Sequence, residues 1–459
     1  MSTDVTESNP NGESVSEDSI RLSEEKRDGS PRTLGAAWAG VLLAPGTIIT
    51  GMVAAGGSAG PGFGVGFSGL AIGIVIGTFF VALISIWGPR TGLAQMPLGK
   101  LAFGAANVVP QIFLIFSLIA YNALNDLFGV DALADALGIE FYIAIACILA
   151  IEVVVVSFGV RLMRVLGLAL SSVMLIIAVW LIFAAAETPA APAPAGVDGF
   201  PLSQFALAMA LGLSGSISWS VQACDLSRTL PKRTSPRKIF VWVFVGMTIP
   251  LVVLGGIGSW ISTDSSLNNP MGRVQDLLGG GVGAAVALVA LGISLATANA
   301  LNDFSGGLSL VQMGIRLPRV AASLIITVAA LTLAIISRNT ELGTLTQDIV
   351  LIAGYYTTPW LGVVLVELIA RRREPKPWLI PPSKPRAAAI AFVLGWLLLL
   401  PFTATPIGNQ IAGDVPALSW IGWFSREVFN GGGIGYLVGV VFGFAIYAAL
   451  RLRKAPSKR

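Results

Sequence analysis

Long apolar runs alternate with short polar connections twelve times along this 459-residue chain. The runs occupy residues 34–53, 67–87, 108–127, 141–160, 165–186, 205–223, 239–261, 282–301, 320–336, 349–368, 387–402 and 434–450. Each approaches the ~20 residues a helix needs to cross a bilayer. A backbone in lipid must satisfy its own hydrogen bonds, so each run predicts a spanning α-helix. The expected architecture is an all-α polytopic membrane protein of twelve transmembrane helices. Residues 1–32 are polar and charged, which predicts a disordered tail with no cleavable signal peptide. The Pro/Ala-rich segment 188–195 predicts a stiff loop.

Polar residues interrupt this pattern in an ordered way. Asn122-Ala-Leu-Asn125-Asp126 lies near the end of the third run, and the same five residues, Asn299-Ala-Leu-Asn302-Asp303, end the eighth. Residues three apart share a helix face, so each copy presents two amides on one side. Such groups are costly in hydrocarbon and turn toward a bundle interior or a water-filled pathway. The first run is interrupted by Ala44-Pro45-Gly46-Thr47 and the sixth by Gly212-Leu-Ser-Gly215-Ser216. Proline removes a backbone donor and clashes with the preceding turn, so these positions predict broken helices. Glycine also serves close packing, which leaves each break with a second reading. Both the breaks and the repeated motif recur five spans apart. Helices 1–5 (residues 33–186) and 6–10 (187–370) are thus expected to form inverted repeats, followed by helices 11 and 12 (371–450) and a tail (451–459).

Composition narrows the function. The chain is 54% hydrophobic and 12% charged, with a mean hydropathy of +0.79, which excludes a secreted or single-span protein. With both termini in the cytoplasm, 22 of the 29 Lys/Arg fall in inner loops and the C-terminal tail, four in the N-terminal tail and three outside. That asymmetry is the positive-inside pattern of a cell-membrane protein. The net charge of +4 therefore reports topology, not nucleic-acid binding. The chain has no histidine, so neither a His proton relay nor a His metal site can operate. Cys147 and Cys224 lie in or at the edge of different runs and read as buried thiols. No nucleophile–base or metal constellation suggests an enzyme, and no cofactor is expected.

Several motifs give the chain a family likeness. They are Gly88-Pro-Arg-Thr-Gly-Leu-Ala-Gln-Met-Pro-Leu-Gly-Lys-Leu-Ala-Phe-Gly104, Asp225-Leu-Ser-Arg-Thr-Leu-Pro231, Asn299 to Gly306, and the run from Gly354 to Arg373. In these the chain resembles the nucleobase–cation symporter-1 family of cytosine, purine, allantoin and hydantoin permeases. The resemblance implies a five-plus-five inverted repeat of the LeuT type, with discontinuous helices 1 and 6 and two extra helices. It further implies a carrier that imports a heterocycle by cation symport through alternating access. Cytosine or a purine is the favoured cargo; a same-fold carrier of allantoin, hydantoin, thiamine or an amino acid is the alternative, and a channel or membrane enzyme the most distant one. The implied partners are a small heterocycle and the bilayer, with no obligatory protein partner.

The resemblance also implies site residues. Tyr121 matches the aromatic that stacks on the ring, Asn125 and Asn302 match amides that bond its edge, and Gly215, Ser216 and Ala44 match positions at the helix breaks. Asparagine carries both a donor and an acceptor, and Tyr121 and Asn125 lie at i and i+4, so they can address one ligand. Ser216 stands where some relatives have a second aromatic; Trp219, one turn later, is the candidate substitute. Asn122 and Asn299 are expected to brace the helices. For a sodium ion the matching positions are Gly40, Leu43, Ile293, Ala296 and Thr297, with Ser294 nearby; Ala296 lacks the hydroxyl found in relatives. For a proton the candidates are the intramembrane carboxylates Asp303, Glu152 and Asp126. Sodium and proton coupling stay open at this point.

Overall fold

In the computed structural model the described residues are 21–452, apart from Gly159 and residues 194–199. The remainder of the N-terminal tail, the end of the Pro/Ala loop and the C-terminal tail from residue 453 lie outside them. Among the described residues, twelve spans are long and apolar enough to cross a membrane, counting one bent pair as a single span. The first is a pair, α1 (Pro31–Leu42) and α2 (Pro45–Ala55), bent by 62° at their junction. Then come α3 (Gly62–Ser85), α4 (Val108–Leu137), α5 (Phe141–Phe158) and α6 (Val160–Ala186). The second half holds α7 (Leu202–Ile217), α8 (Pro236–Trp260), α9 (Gly281–Gln312), α10 (Arg319–Ser337) and α11 (Leu342–Ala370). The last two are α12 (Pro385–Leu399) and α13 (Gly435–Leu452).

Local chemistry explains the break in the first span. Ala44 is extended at φ −128° and ψ 143°, the region forced on a residue before proline. Pro45 then opens α2, where its missing N–H costs nothing. The sixth span behaves differently from the expectation. Its helix continues through Gly212–Ser216 to Ile217, then tightens into a 3₁₀ turn at Ser218–Gln222 before a short helix, Ala223–Ser227. The discontinuity lies one turn beyond the glycine cluster. Gly212 serves close approach instead: a Cβ there would sit 2.1 Å from the Leu70 carbonyl of α3. Gly69 and Gly73 of α3 meet the backbone of α7 in the same way, so the two helices pack backbone to backbone.

Two further expectations are corrected. The third and eighth spans do not stop at their polar motifs, because α4 runs on to Leu137 and α9 to Gln312. Both motifs are therefore in helix interiors, with Asp126 and Asp303 buried. The polar tail is not disordered throughout its expected 32 residues. From Arg21 it packs across the connection between α3 and α4: Arg21 bridges to Leu93, and Arg27, 4% exposed, donates to the Pro89 carbonyl at 3.0 Å.

Among the described residues two large apolar clusters and a small third one around Val155, Val156 and Ala300 build the interior. One large cluster gathers side chains of α1, α3, α7, α8 and α11 to α13, the other those of α2, α4 to α6, α9 and α10. Large apolar side chains such as Phe116, Phe183 and Val282 cover the outside, as a lipid-facing surface requires. At one end buried Glu367 of α11 accepts from Tyr447 (2.9 Å) and Arg451 (3.0 Å) near the end of α13 and pairs with Arg371. In the connection after α8, Asp264 accepts from the Ser58 amide and hydroxyl at 2.8 and 2.7 Å; these bonds hold its carboxyl below the usual carboxylate range.

Candidate functional site

A cavity of about 800 Å³ lies where the break in the first span faces α4, α7, α9 and α11. Ala44, Tyr121, Asn125, Gly215, Ser216, Trp219 and Asn302 all line it. Their roles in the wall differ. Tyr121 is half-buried and packs against both large apolar clusters. Trp219 stands edge-on to Trp38, with ring centroids 6.0 Å apart and planes at 87°. Gly215 leaves open space, since a Cβ there would meet only Val350 at 3.8 Å. Ser216 turns its hydroxyl back onto its own helix, donating to the Gly212 carbonyl at 2.8 Å. Tyr356 and Thr346 of α11 and Gln222 of the 3₁₀ turn join the wall without having been expected. Tyr356 sits inside the run 354–373 that carried the family likeness, so its signal was present; Gln222 had none. Among the described residues no charged one lines the cavity. It reaches the surface beside exposed Ala36, Ala37 and Leu168, at the end where α1 begins.

Behind Asn125 and Asn302 the two copies of the five-residue motif interlock. Asn122 donates to Asp303 Oδ1 at 2.7 Å, and Asn299 donates to Asp126 Oδ1 at 2.8 Å. Because a carboxylate accepts, both amides must present Nδ2 to it and Oδ1 to the other side. Those oxygens take the cavity-wall residues: Asn125 donates to Asn299 Oδ1 at 2.9 Å, and Asn302 to Asn122 Oδ1 at 2.9 Å. The motif of one repeat is thus the partner of the motif of the other, related by the inversion between them. Asn122 and Asn299 occupy the bracing place expected of them. Asn125 and Asn302 spend one N–H each and keep a second N–H and a carbonyl oxygen on the cavity side.

The candidate cation positions separate into two groups. Gly40, Leu43, Ser294 and Thr297 reach the cavity wall, while Ile293 and Ala296 do not. The Gly40 carbonyl accepts from Ser171 at 2.9 Å and the Ile293 carbonyl from Thr297 at 2.8 Å. Ala296 is buried and offers no side-chain oxygen. The carboxyls of Asp126, Glu152 and Asp303 lie outside the cavity, behind the asparagine layer. Asp303 Oδ2 accepts from Thr327 at 2.6 Å. Among the described residues no group of three or more His, Cys, Asp or Glu could hold a metal ion.

This arrangement of a broken first span, an inverted pair of motifs and a mid-bundle cavity has known counterparts. A family model described as permease for cytosine/purines, uracil, thiamine, allantoin matches residues 21–425. The chain belongs to this permease family. Across 94% of this permease, 23% of residues are identical to YxlA of Bacillus subtilis, a protein assigned by name to the purine-cytosine permeases, covering 95% of that relative. The Saccharomyces cerevisiae vitamin B6 transporter TPN1 is 23% identical over 66% of the permease and 56% of its own length. Among solved structures, the nucleobase-cation-symport-1 transporter Mhp1, closed with bromovinylhydantoin bound, superposes with a TM-score of 0.67 at 16% identity. That match covers 97% of the permease and 95% of Mhp1. Inward-facing Mhp1 gives 0.66 at 15% identity, covering 94% and 92%. The permease is a multi-pass membrane transporter, not an enzyme.

Proposed function

We propose that the protein imports an uncharged nucleobase-like heterocycle, with cytosine or a purine favoured, by cation symport across the cell membrane. Both termini face the cytoplasm in this reading, and the cavity alternates between the two sides. The observation that carries it is a cavity wall without charge in which two amides from opposing helices each keep a donor and an acceptor for a ligand. A nucleobase edge alternates donors and acceptors, so paired amides satisfy it, while Tyr121 and Trp219 supply ring faces. A zwitterionic amino acid would leave its ammonium without a carboxylate, and cationic thiamine would meet the same deficit. The name of the yeast relative extends the candidate rings to vitamin B6.

Uptake competition among cytosine, hypoxanthine, allantoin, vitamin B6 and thiamine tests the cargo. Cytosine or hypoxanthine should compete strongly and thiamine weakly. Tyr121→Ala, Asn125→Ala and Asn302→Ala should each abolish saturable uptake with protein still in the membrane. Near-wild-type transport from all three would remove the proposed site.

A further inference from the structure

The inverted motifs are alike except at one place. Both oxygens of Asp303 have donors, Asn122 on Oδ1 and the Thr327 hydroxyl of α10 on Oδ2. Asp126 has Asn299 on Oδ1, but its Oδ2 is buried and receives no hydrogen bond. Thr327 follows Asp303 by 24 residues; Glu152 of α5 follows Asp126 by 26 and stands in the corresponding place. Its helix packs against α4, which carries Asp126. Glu152 is 2% exposed, and its Oε1 also lacks any partner. A hydroxyl at this place can donate, whereas a carboxylate cannot.

We propose that Glu152 and Asp126 share one exchangeable proton and that this proton is the ion coupled to transport. The coupling half of the proposal rests on the carrier reading above. With the proton in place, Glu152 is a neutral donor to Asp126 Oδ2, the counterpart of Thr327, and the pair carries one negative charge. Without it two anions face each other in a dry contact. Among the described residues the groups around the pair bring no opposite charge to it. From α9 the pair meets Asp303 and Asn299; α10 contributes Thr327, committed to Asp303; and α6 packs Leu162 and Leu166 nearby. Among the described residues no Lys or Arg forms an ion pair with either carboxyl. Two hydrogen bonds join the pair to the cavity, Asn125 to Asn299 and Asn299 to Asp126. Loss of the proton repels Asp126 from Glu152 and disturbs the bond that orients Asn125. The proton thereby sets the amide that meets the cargo, and the cargo in turn favours the protonated pair.

Glu152→Gln keeps a neutral donor that cannot release a proton. Purified wild-type protein, titrated by infrared spectroscopy without cargo, should show a protonated-carboxyl band that disappears on alkalinisation; Glu152→Gln should lack it. In proteoliposomes Glu152→Gln should retain cargo-induced thermal stabilisation and counterflow. Its accumulation under an inward proton gradient should fall at least tenfold. A wild type without the titrating band overturns the proposal. So does Glu152→Gln that accumulates like wild type, or wild-type accumulation driven by sodium and indifferent to a protonophore. A wild type that binds none of the heterocycles overturns the proposed cargo instead, while the infrared titration, which needs no cargo, still decides the proton site.

Discussion

Within each five-residue motif the two asparagines divide their tasks by direction. Asn299 points inward and joins Asp126, Asn125 and the Asn122 carbonyl, whereas Asn302 reaches the cavity. Replacing Asn299 with Ala leaves buried Asp126 Oδ1 without a donor and takes away the acceptor of Asn125, at about 1 kcal/mol or more for each group left unpaired. Asn299→Ala should therefore lower the thermal midpoint in detergent by several degrees. Asn302→Ala leaves one orphan, Asn122 Oδ1, and should melt close to wild type. Its loss should appear in cargo affinity, weakened about tenfold or more, roughly 1.4 kcal/mol. A thermal shift series read with and without cargo separates the two effects. Spacing in the sequence placed both amides of a motif on one face. It could not say that the copies would bind each other, because that depends on how α4 and α9 cross.

The element scale shows why glycine is ambiguous in sequence. Gly212 and Gly215 are three residues apart in one helix, yet a methyl group at the first would meet a backbone carbonyl at 2.1 Å and at the second almost nothing. Gly212→Ala should prevent normal accumulation of folded protein, since neither α3 nor α7 can move its backbone without losing the rest of the contact. Gly215→Ala should fold normally, with any effect confined to cargo binding. Fluorescence-detected size exclusion of the two variants checks the contrast. A break and a close-packing point have the same composition; the neighbouring helix decides between them. Proline is less ambiguous. Pro45 dictates the geometry of Ala44 through a local clash, and the break in the first span was legible for that reason. Hydropathy set most span boundaries, but it cut the third and eighth spans at their polar motifs. A buried, mutually satisfied polar network reads locally like the end of a membrane segment.

For the molecule as a whole, the cavity opens at the end where α1 begins, beside Ala36 and Ala37. With Cys147 first replaced by Ser, Ala37→Cys should react with an impermeant maleimide applied from the cytoplasmic side, and cargo should slow that reaction. Labelling from the outside alone would reverse the proposed orientation. At the same scale, Glu367 ties α11 to α13. Glu367→Ala leaves Arg371, 3% exposed, without its carboxylate. A cost of about 3–5 kcal/mol is expected from the uncompensated buried charge, read as reduced yield and melting temperature. The sequence by itself determined the helical class, the number of spans and the pseudo-repeat. These follow from hydropathy, helical spacing and proline sterics, all of which act over a few residues. Tertiary structure decided which amide faces the cavity, which glycine packs and which carboxyl is left without a donor. Those outcomes require separate helices to meet, 24 residues apart in the chain for Asp303 and Thr327 and 173 for Asp126 and Asn299, and no local rule specifies their register.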